Sequence, residues 1–414
     1  MMTPMRQMKM ATMTFDIQAA VTNAINKRLT NYENRLLNAP ETADALKAKY
    51  DAILKTIEEG FAYSQLRPKA VQLLLDAFST FERWGYWTEY ISFSETALTL
   101  TLPAEQQVLL YAHLGHMNDL NRNFDDSLRY LNLGLALAEK HQLKNCFGLL
   151  HHRLMNTHLG RDEPQIAQEH GLQALTYLAG TPSTTLAAAY DSLGRVYTRL
   201  NNSTMAEKYF WDALLIWGSL NDYKHMARSY INLGHLFFRG NKLAEAQKCF
   251  ESALDVLGNL SAILDELNAR NGLGIVHYAN DDFDGAVTIF REAVSKLDQE
   301  LGDKVGWYSL TGSLVHNLGN ARLAKGDIQQ AMVALRRART FWQQANNRLE
   351  MANTVGTLAE AYQANKEWET AVTHYDEALA LLTNYPDHPW AARLANNFSR
   401  AKKICAEQLE TPKE

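Results

Sequence analysis

A Leu-Gly pair followed at fixed distances by small and bulky residues recurs along this chain, and few folds accept such a rule. The stretch NLGHLFFRGNKLAEAQKCFESAL, residues 232–254, shows it in full: Leu233-Gly234, then Phe237, Ala246, Phe250 and Ala253. Equivalent leads are Leu114-Gly115, Leu154-Met155, Leu193-Gly194, Leu233-Gly234, Leu273-Gly274, Leu318-Gly319 and Leu358-Ala359. They are spaced by 40, 39, 40, 40, 45 and 40 residues. Thirteen residues after each leucine stands a small residue: Ser127, Ala167, Ala206, Ala246, Ala286, Ala331 and Ala371. Four further on comes Leu131, Gly171, Phe210, Phe250, Phe290, Leu335 or Tyr375, and three beyond that Gly134, Ala174, Ala213, Ala253, Ala293, Ala338 or Ala378.

Steps of three and four place these residues on one helical face. Small side chains at facing positions let two helices approach, and the bulky residue fills the space beside them. Polar segments such as RGNK, NDD and AKGD separate the two helices. Each repeat is therefore expected to be an antiparallel helical hairpin that buries its face only by stacking on the next.

This arrangement resembles the tetratricopeptide repeat, in a long form of about 40 residues over roughly 105–385. It is similar to the repeats of LGN/Pins-type adaptors, kinesin light chains and bacterial sensor domains, including peptide-pheromone receptors. The resemblance implies an all-α fold: a right-handed superhelix of seven or eight hairpins with capping helices. The expected organisation is a disordered 1–14, helices within 15–66, a degenerate first repeat at 67–104, seven repeats at 105–385, a capping helix at 386–409 and a tail at 410–414. In the degenerate repeat, Ala77 and Phe81 belong to the first helix, Trp87 and Ala97 to the second. The 45-residue spacing marks an insertion near LDQELGDKVGWYS. Trp211, Trp217, Trp342 and Trp368 are expected in the core.

Composition narrows the function. The chain has 414 residues, 46% of them hydrophobic, with a net charge of −5. An acidic balance argues against general nucleic-acid binding, which needs a basic face to displace counterions. The three cysteines, Cys146, Cys249 and Cys405, form no CxxC pair, so neither a disulfide framework nor a thiolate zinc site is expected, and a reducing cytoplasm is the simplest setting. The first residues hold basic side chains without an apolar run behind them, so no secretory signal is expected. No stretch is apolar enough for a membrane span.

Neither a phosphate-binding loop nor a GxSxG or HExxH motif occurs, and Cys249 lies on a packing helix. No catalysis and no cofactor are expected. His113 and His116 lie three apart on one first helix and His151-His152 on the next, which places a metal within geometric reach. Thirteen histidines is only mildly high, however, and the expected reading is groove-lining polar residues with no metal.

The leading expectation is a protein- or peptide-binding scaffold. The alternative is a receptor for a small peptide or ligand that relays a shape change to an effector. Pheromone receptors of this type carry a helix-turn-helix, and no basic recognition helix is seen in 15–60. In the resembled repeats the first helix lines the inner face. Positions two before, one before, two after, five after and six after the leucine then give His152, Asn156, Asp191, Arg195, Thr198, Arg199, Arg228, Asn232, His235, Phe238, Arg239, Asn268, Asn271, Tyr278, His316, Asn317 and Asn320, with Arg228 and Asn268 on first turns. Arg195, Arg199, Arg228 and Arg239 suit an acidic partner segment, exposed Phe238 and Tyr278 suit a binding surface, and the asparagines suit a peptide backbone. The carboxylate clamp of chaperone-binding repeats is departed from: of His152, Asn156, Ser192, Arg228 and Asn232, only Asn156 matches in type. Membership of a larger complex is left open.

Overall fold

The computed structural model describes residues 4–38, 50–258, 260, 262–300 and 307–410. Among them are 20 helices and no strand. The chain divides into two compact halves, Met1–Tyr209 and Phe210–Glu414.

The first half opens with α1 (Pro4–Asn38), α2 (Tyr50–Ala62), α3 (Arg67–Asp76), α4 (Phe78–Trp84) and α5 (Trp87–Leu98). The first helix starts at Pro4, ahead of the expected start at 15. Ile25 and Leu29 of α1 share a core with Ile53 and Ile57 of α2 and with Leu74 of α3. Three short helices occupy the segment read as a degenerate repeat, with Ala77 at the junction of α3 and α4. Paired helices follow: α6 (Ala104–Leu120) with α7 (Phe124–Lys140), α8 (Lys144–Gly160) with α9 (Pro164–Leu178), and α10 (Thr184–Arg199) with the start of α11 (Ser203–Ser219).

The second half holds the remainder of α11, then α12 (Tyr223–Arg239) with α13 (Leu243–Leu257), α14 (Ile263–Ala279) with α15 (Phe283–Glu300), α16 (Tyr308–Lys325) with α17 (Ile328–Gln344), and α18 (Arg348–Ala364) with α19 (Trp368–Leu382). The last helix, α20 (Pro389–Glu410), buries Ala391, Phe398 and Cys405 on the final hairpin. The expected insertion falls largely on 301–306, and the tail on 411–414, outside the described residues.

The repeat rule has a direct steric cause. All seven residues at the first small position are fully buried, from Ser127 to Ala371. The glycine of the Leu-Gly pair seats the bulky residue of its own hairpin. A methyl on Gly115 would stand 2.4 Å from Leu131, on Gly234 2.7 Å from Phe250, on Gly274 2.6 Å from Phe290, and on Gly319 2.7 Å from Leu335. Phe250 also closes on Gly272 of the next hairpin, where an added methyl would meet it at 2.2 Å. Ser127, the polar member of the small set, is satisfied by Thr157 at 2.8 Å.

The turns repeat as well. A non-glycine residue with positive φ follows helix after helix: Arg122, Gln142, Asp162, Asn201, Asn221, Asn241, Asp281, Asn346 and Lys366. Asn and Asp prevail because their short polar side chains tolerate the left-handed region. At one such turn Asn241 N–H donates to Phe238 and Lys242 N–H to Phe237, closing the last helical carbonyls. Of the four tryptophans expected in the core, Trp217 and Trp342 are buried and Trp368 is half-buried. Trp211 is 42% exposed and meets Tyr230 edge-on, because it lies one residue past the seam position held by Phe210.

Candidate functional site

The first helices α6, α8 and α10 assemble a polar cluster in the first half. His113 of α6 stacks on Phe78 at 3.8 Å and shares a 2.8 Å hydrogen bond with the Tyr90 hydroxyl. His116 is held between Arg153 of α8 and Glu82 of α4. Arg153 Nη1 donates to its Nδ1 at 2.9 Å, which leaves the ring proton on Nε2 to face Glu82 Oε1 at 3.0 Å. On α8, Asn156 Nδ2 donates to His152 Nε2 at 3.1 Å, and Ser192 of α10 stands 3.3 Å from the same nitrogen. Each ring is thus engaged separately. His151 turns away to His170 on α9, Nδ1 to Nδ1 at 3.0 Å. Among the described residues no three ligand-type side chains converge as a metal site.

Burial sets the charges. It holds His113 and His152 well below the usual imidazole range, with Arg153 adding to it. His116 is lowered by the same two causes despite Glu82. Asp119 of α6 is raised by burial, which outweighs the opposing pull of Arg153, Arg195 and Arg122. Four polar atoms here are buried without any hydrogen-bond partner: Asp119 Oδ1, His152 Nδ1, Arg153 Nε and Asn156 Oδ1. Such groups cost roughly 1–3 kcal/mol each when left unpaired, so their grouping on two neighbouring helices points to a ligand or to water.

The expected site residues of this half separate by environment. His152 is 5% exposed: it lies in the seam between helices rather than on an open face, because its Nε2 serves Asn156 and Ser192. Asn156, Asp191 and Thr198 are half-buried, and Thr198 spends its hydroxyl on the Gly194 carbonyl. Arg195 and Arg199 are exposed. Arg199 pairs with Asp162 at 3.4 Å. Arg195 is lowered by desolvation first, with Asp191 and Asp119 opposing.

In the second half Arg228, His235, Arg239, Asn268 and Tyr278 are exposed, while Asn232, Phe238, Asn271, Asn317 and Asn320 are half-buried. Arg228 and Asn268 stand on second turns, since α12 begins at Tyr223 and α14 at Ile263. Arg228 is already bound to the buried Asp265, Nε to Oδ1 at 2.7 Å. Tyr278 is 39% exposed and packs on Phe283. His235 is lowered by burial and then by Arg239. Two asparagines are spent internally: Asn317 donates to Asn271 at 2.8 Å, and Asn271 donates to Ser313 at 3.4 Å.

His316 is buried, contrary to the groove expectation. Asn320 and Asn353 both donate to its Nε2, at 3.0 and 3.3 Å, so Nδ1 carries the proton and meets Thr354 Oγ1 at 3.0 Å. Its pKa falls to about 4 through burial. Glu360, two residues after Leu358, is raised by burial; Tyr278 is raised by its own burial first, with Glu360 and Asp281 adding to it. Asp119, Arg153 and Glu360 were not singled out from the sequence. Asp119 stands five after Leu114, Arg153 one before Leu154 and Glu360 two after Leu358, all offsets of the register applied at every repeat.

Residues 184–259 and 350–410 match one tetratricopeptide repeat model, and 267–304 a second. Together with the hairpin stack, these matches identify the chain as a tetratricopeptide repeat protein. Among curated proteins it resembles the regulatory protein RapG of Bacillus subtilis (strain 168), 22% identical over 127 residues. That match spans 30% of this chain and 33% of RapG, so about a third of the relative's length is covered. Among solved structures it resembles the apo form of the quorum sensor NprR from B. thuringiensis: 14% identity, 87% of this chain and 99% of that one, TM-score 0.58. A Rap protein complexed with competence and sporulation factor aligns at 13% identity over 82% of this chain and 99% of that chain, TM-score 0.53. At these identities the two structures share the fold. No described helix is long and apolar enough to cross a membrane.

Proposed function

We propose that this protein is a non-catalytic binding scaffold that holds a peptide or protein segment against the first helices of its hairpins. The observation that carries this reading is the group of unpartnered polar atoms at Asp119, His152, Arg153 and Asn156. Other buried polar groups of these hairpins are paired across helices, as at Ser127–Thr157 and His316–Thr354, and the remaining unpaired atoms, such as Arg322 Nε and Trp342 Nε1, are not grouped in this way. A site whose hydrogen bonds await a partner fits a protein whose work is binding.

A second reading, a receptor that relays occupancy to an effector, is favoured by the relatives. One is a quorum sensor, and another was solved with competence and sporulation factor bound. Acidic residues of the bound segment would meet the exposed Arg239. Arg195, Arg228 and Arg199 contribute less, because each already lies near an aspartate. Cytoplasmic residence and membership of a larger assembly belong to the same proposal.

Affinity capture from the native host tests it, comparing wild type with Arg239→Glu at matched melting temperature. Selective loss of captured partners supports the reading. Recovery of every partner at the wild-type level assigns binding to another face. A ligand-dependent change in hydrodynamic radius distinguishes the receptor from the scaffold.

A further inference from the structure

We infer that the joint between α17 and α18 carries a site for a single carboxylate group, held by the Trp342 indole, the Arg348 guanidinium and the first turn of α18. It goes beyond the binding role proposed above and does not depend on it. A cavity of about 280 Å3 opens at this joint, walled by Arg339, Trp342, Gln343, Asn346, Asn347 and Arg348. A water molecule takes about 30 Å3, so the space suits a group of a few heavy atoms. Trp342 is 4% exposed, and its Nε1–H, which can only donate, is without a partner. Arg348 is exposed and enters no ion pair among the described residues. Its planar fork matches the two oxygens of a carboxylate. Asn347 caps α18, its Oδ1 accepting from the Glu350 N–H at 3.2 Å, and the leading N–H groups and dipole of that helix favour negative charge.

Charge selects among anions. The described walls hold two arginines and no acidic residue. Arg339 is already bound to Glu377 of α19 at 2.5 Å, and Glu350 bonds to Asn353. Arg348 is left as the uncompensated cation, which balances one carboxylate and falls short of a phosphate dianion. The same joint occurs earlier in this half in another form. Trp217 and Trp342 each stand 24 residues after their leucines, Leu193 and Leu318. At the earlier joint His225 stacks on the indole at 4.6 Å and is held by Asp222 at 2.8 Å, and Tyr223 stands where Arg348 does. At the later joint Asn347 replaces Asp222 and Glu350 replaces His225, so the anionic cap and the covering ring are both gone. A joint that is merely packed has no need of the exchange of tyrosine for a free arginine.

Acetate, acetamide and phosphate test the assignment, each titrated at constant ionic strength into the full chain with 15N-labelled tryptophan. The eight indole N–H signals are followed by NMR, and that of Trp342 is identified by its loss in Trp342→Phe. Acetate should shift the Trp342 signal saturably, with a Kd of about 1–10 mM, and leave that of Trp217 in place. Phosphate should bind about tenfold more weakly, and acetamide should give no saturable shift. Arg348→Gln should weaken acetate at least about tenfold with an unchanged melting temperature, because Arg348 is exposed and unpaired. No saturable shift of the Trp342 signal with acetate overturns the site. Acetamide or phosphate binding as tightly as acetate, or acetate binding unchanged in Arg348→Gln, overturns the assignment to a carboxylate.

Discussion

The same pair of residues is used twice, in different ways. His152 with Asn156 in the first half and His316 with Asn320 in the second occupy identical offsets from their leucines. In both, the asparagine amide donates to Nε2 four residues back, and in both the ring is buried and neutral. Around His316 the next helix completes the set: Thr354 takes the Nδ1 proton and Asn353 adds a second donor to Nε2. Around His152 the Nδ1 atom and the Asn156 oxygen are left open. One arrangement is a finished strut between helices; the other is a strut with two bonds unmade. Residue type and register are shared, so the neighbours decide which is structural and which is available.

The largest expected contrast is in stability. His316→Leu strands Thr354, Asn320 and Asn353 and should cost about 3 kcal/mol, whereas His152→Leu should cost about 1 kcal/mol, because fewer bonds are lost. Urea unfolding of both variants measures this, and equal losses would erase the distinction. Acid acts on both rings in the same sense. Above pH 6.5 folded and unfolded imidazoles are neutral and stability is complete. As pH falls through 6.5 the unfolded ring protonates first, and stability drains until the folded ring itself titrates, which for His316 is at about 4. For His316 the loss between pH 7 and pH 5 should be about 2 kcal/mol. Denaturation midpoints of His316→Gln should show a flatter acid limb, and those of His152→Gln should flatten as well, since burial is common to both.

Binding separates the pair in the opposite order. Asn156→Ala should lose partner capture with a stability change below about 0.5 kcal/mol, while Asn320→Ala should lose about 1 kcal/mol and keep capture. The smallest effect belongs to Arg199→Gln. Its exposed pairing with Asp162 should be worth no more than about 0.5 kcal/mol in thermal melts, and a larger drop would mean that the pair braces the hairpin.

The fold was legible because its rule is steric and local. Ala246, Phe250 and Ala253 mark the seam in the sequence as plainly as in the structure, and the Leu-Gly lead foretells the seat for each ring. The site was legible only by offset. Counting from Leu154 and Leu318 finds His152 and His316, yet burial takes both rings into the seam. Counting from Leu193 and Leu233 finds Arg195 and Arg228, but Asp265, 37 residues away, decides that Arg228 is already bound. Such partners lie one repeat distant and follow no periodic rule. The small and bulky positions repeat because every hairpin solves the same packing problem, whereas each polar partner answers to one neighbour.

Phe250 deserves a mechanical reading. Its ring is gripped by Gly234 of its own hairpin and by Gly272 of the next. It therefore acts as a pin through two plates. A force that pries α12 from α13 also drags α14, and the joint cannot yield one hairpin at a time. Bending strain entering there is passed along rather than absorbed, and the stack is stiffest where a ring is clasped from both sides.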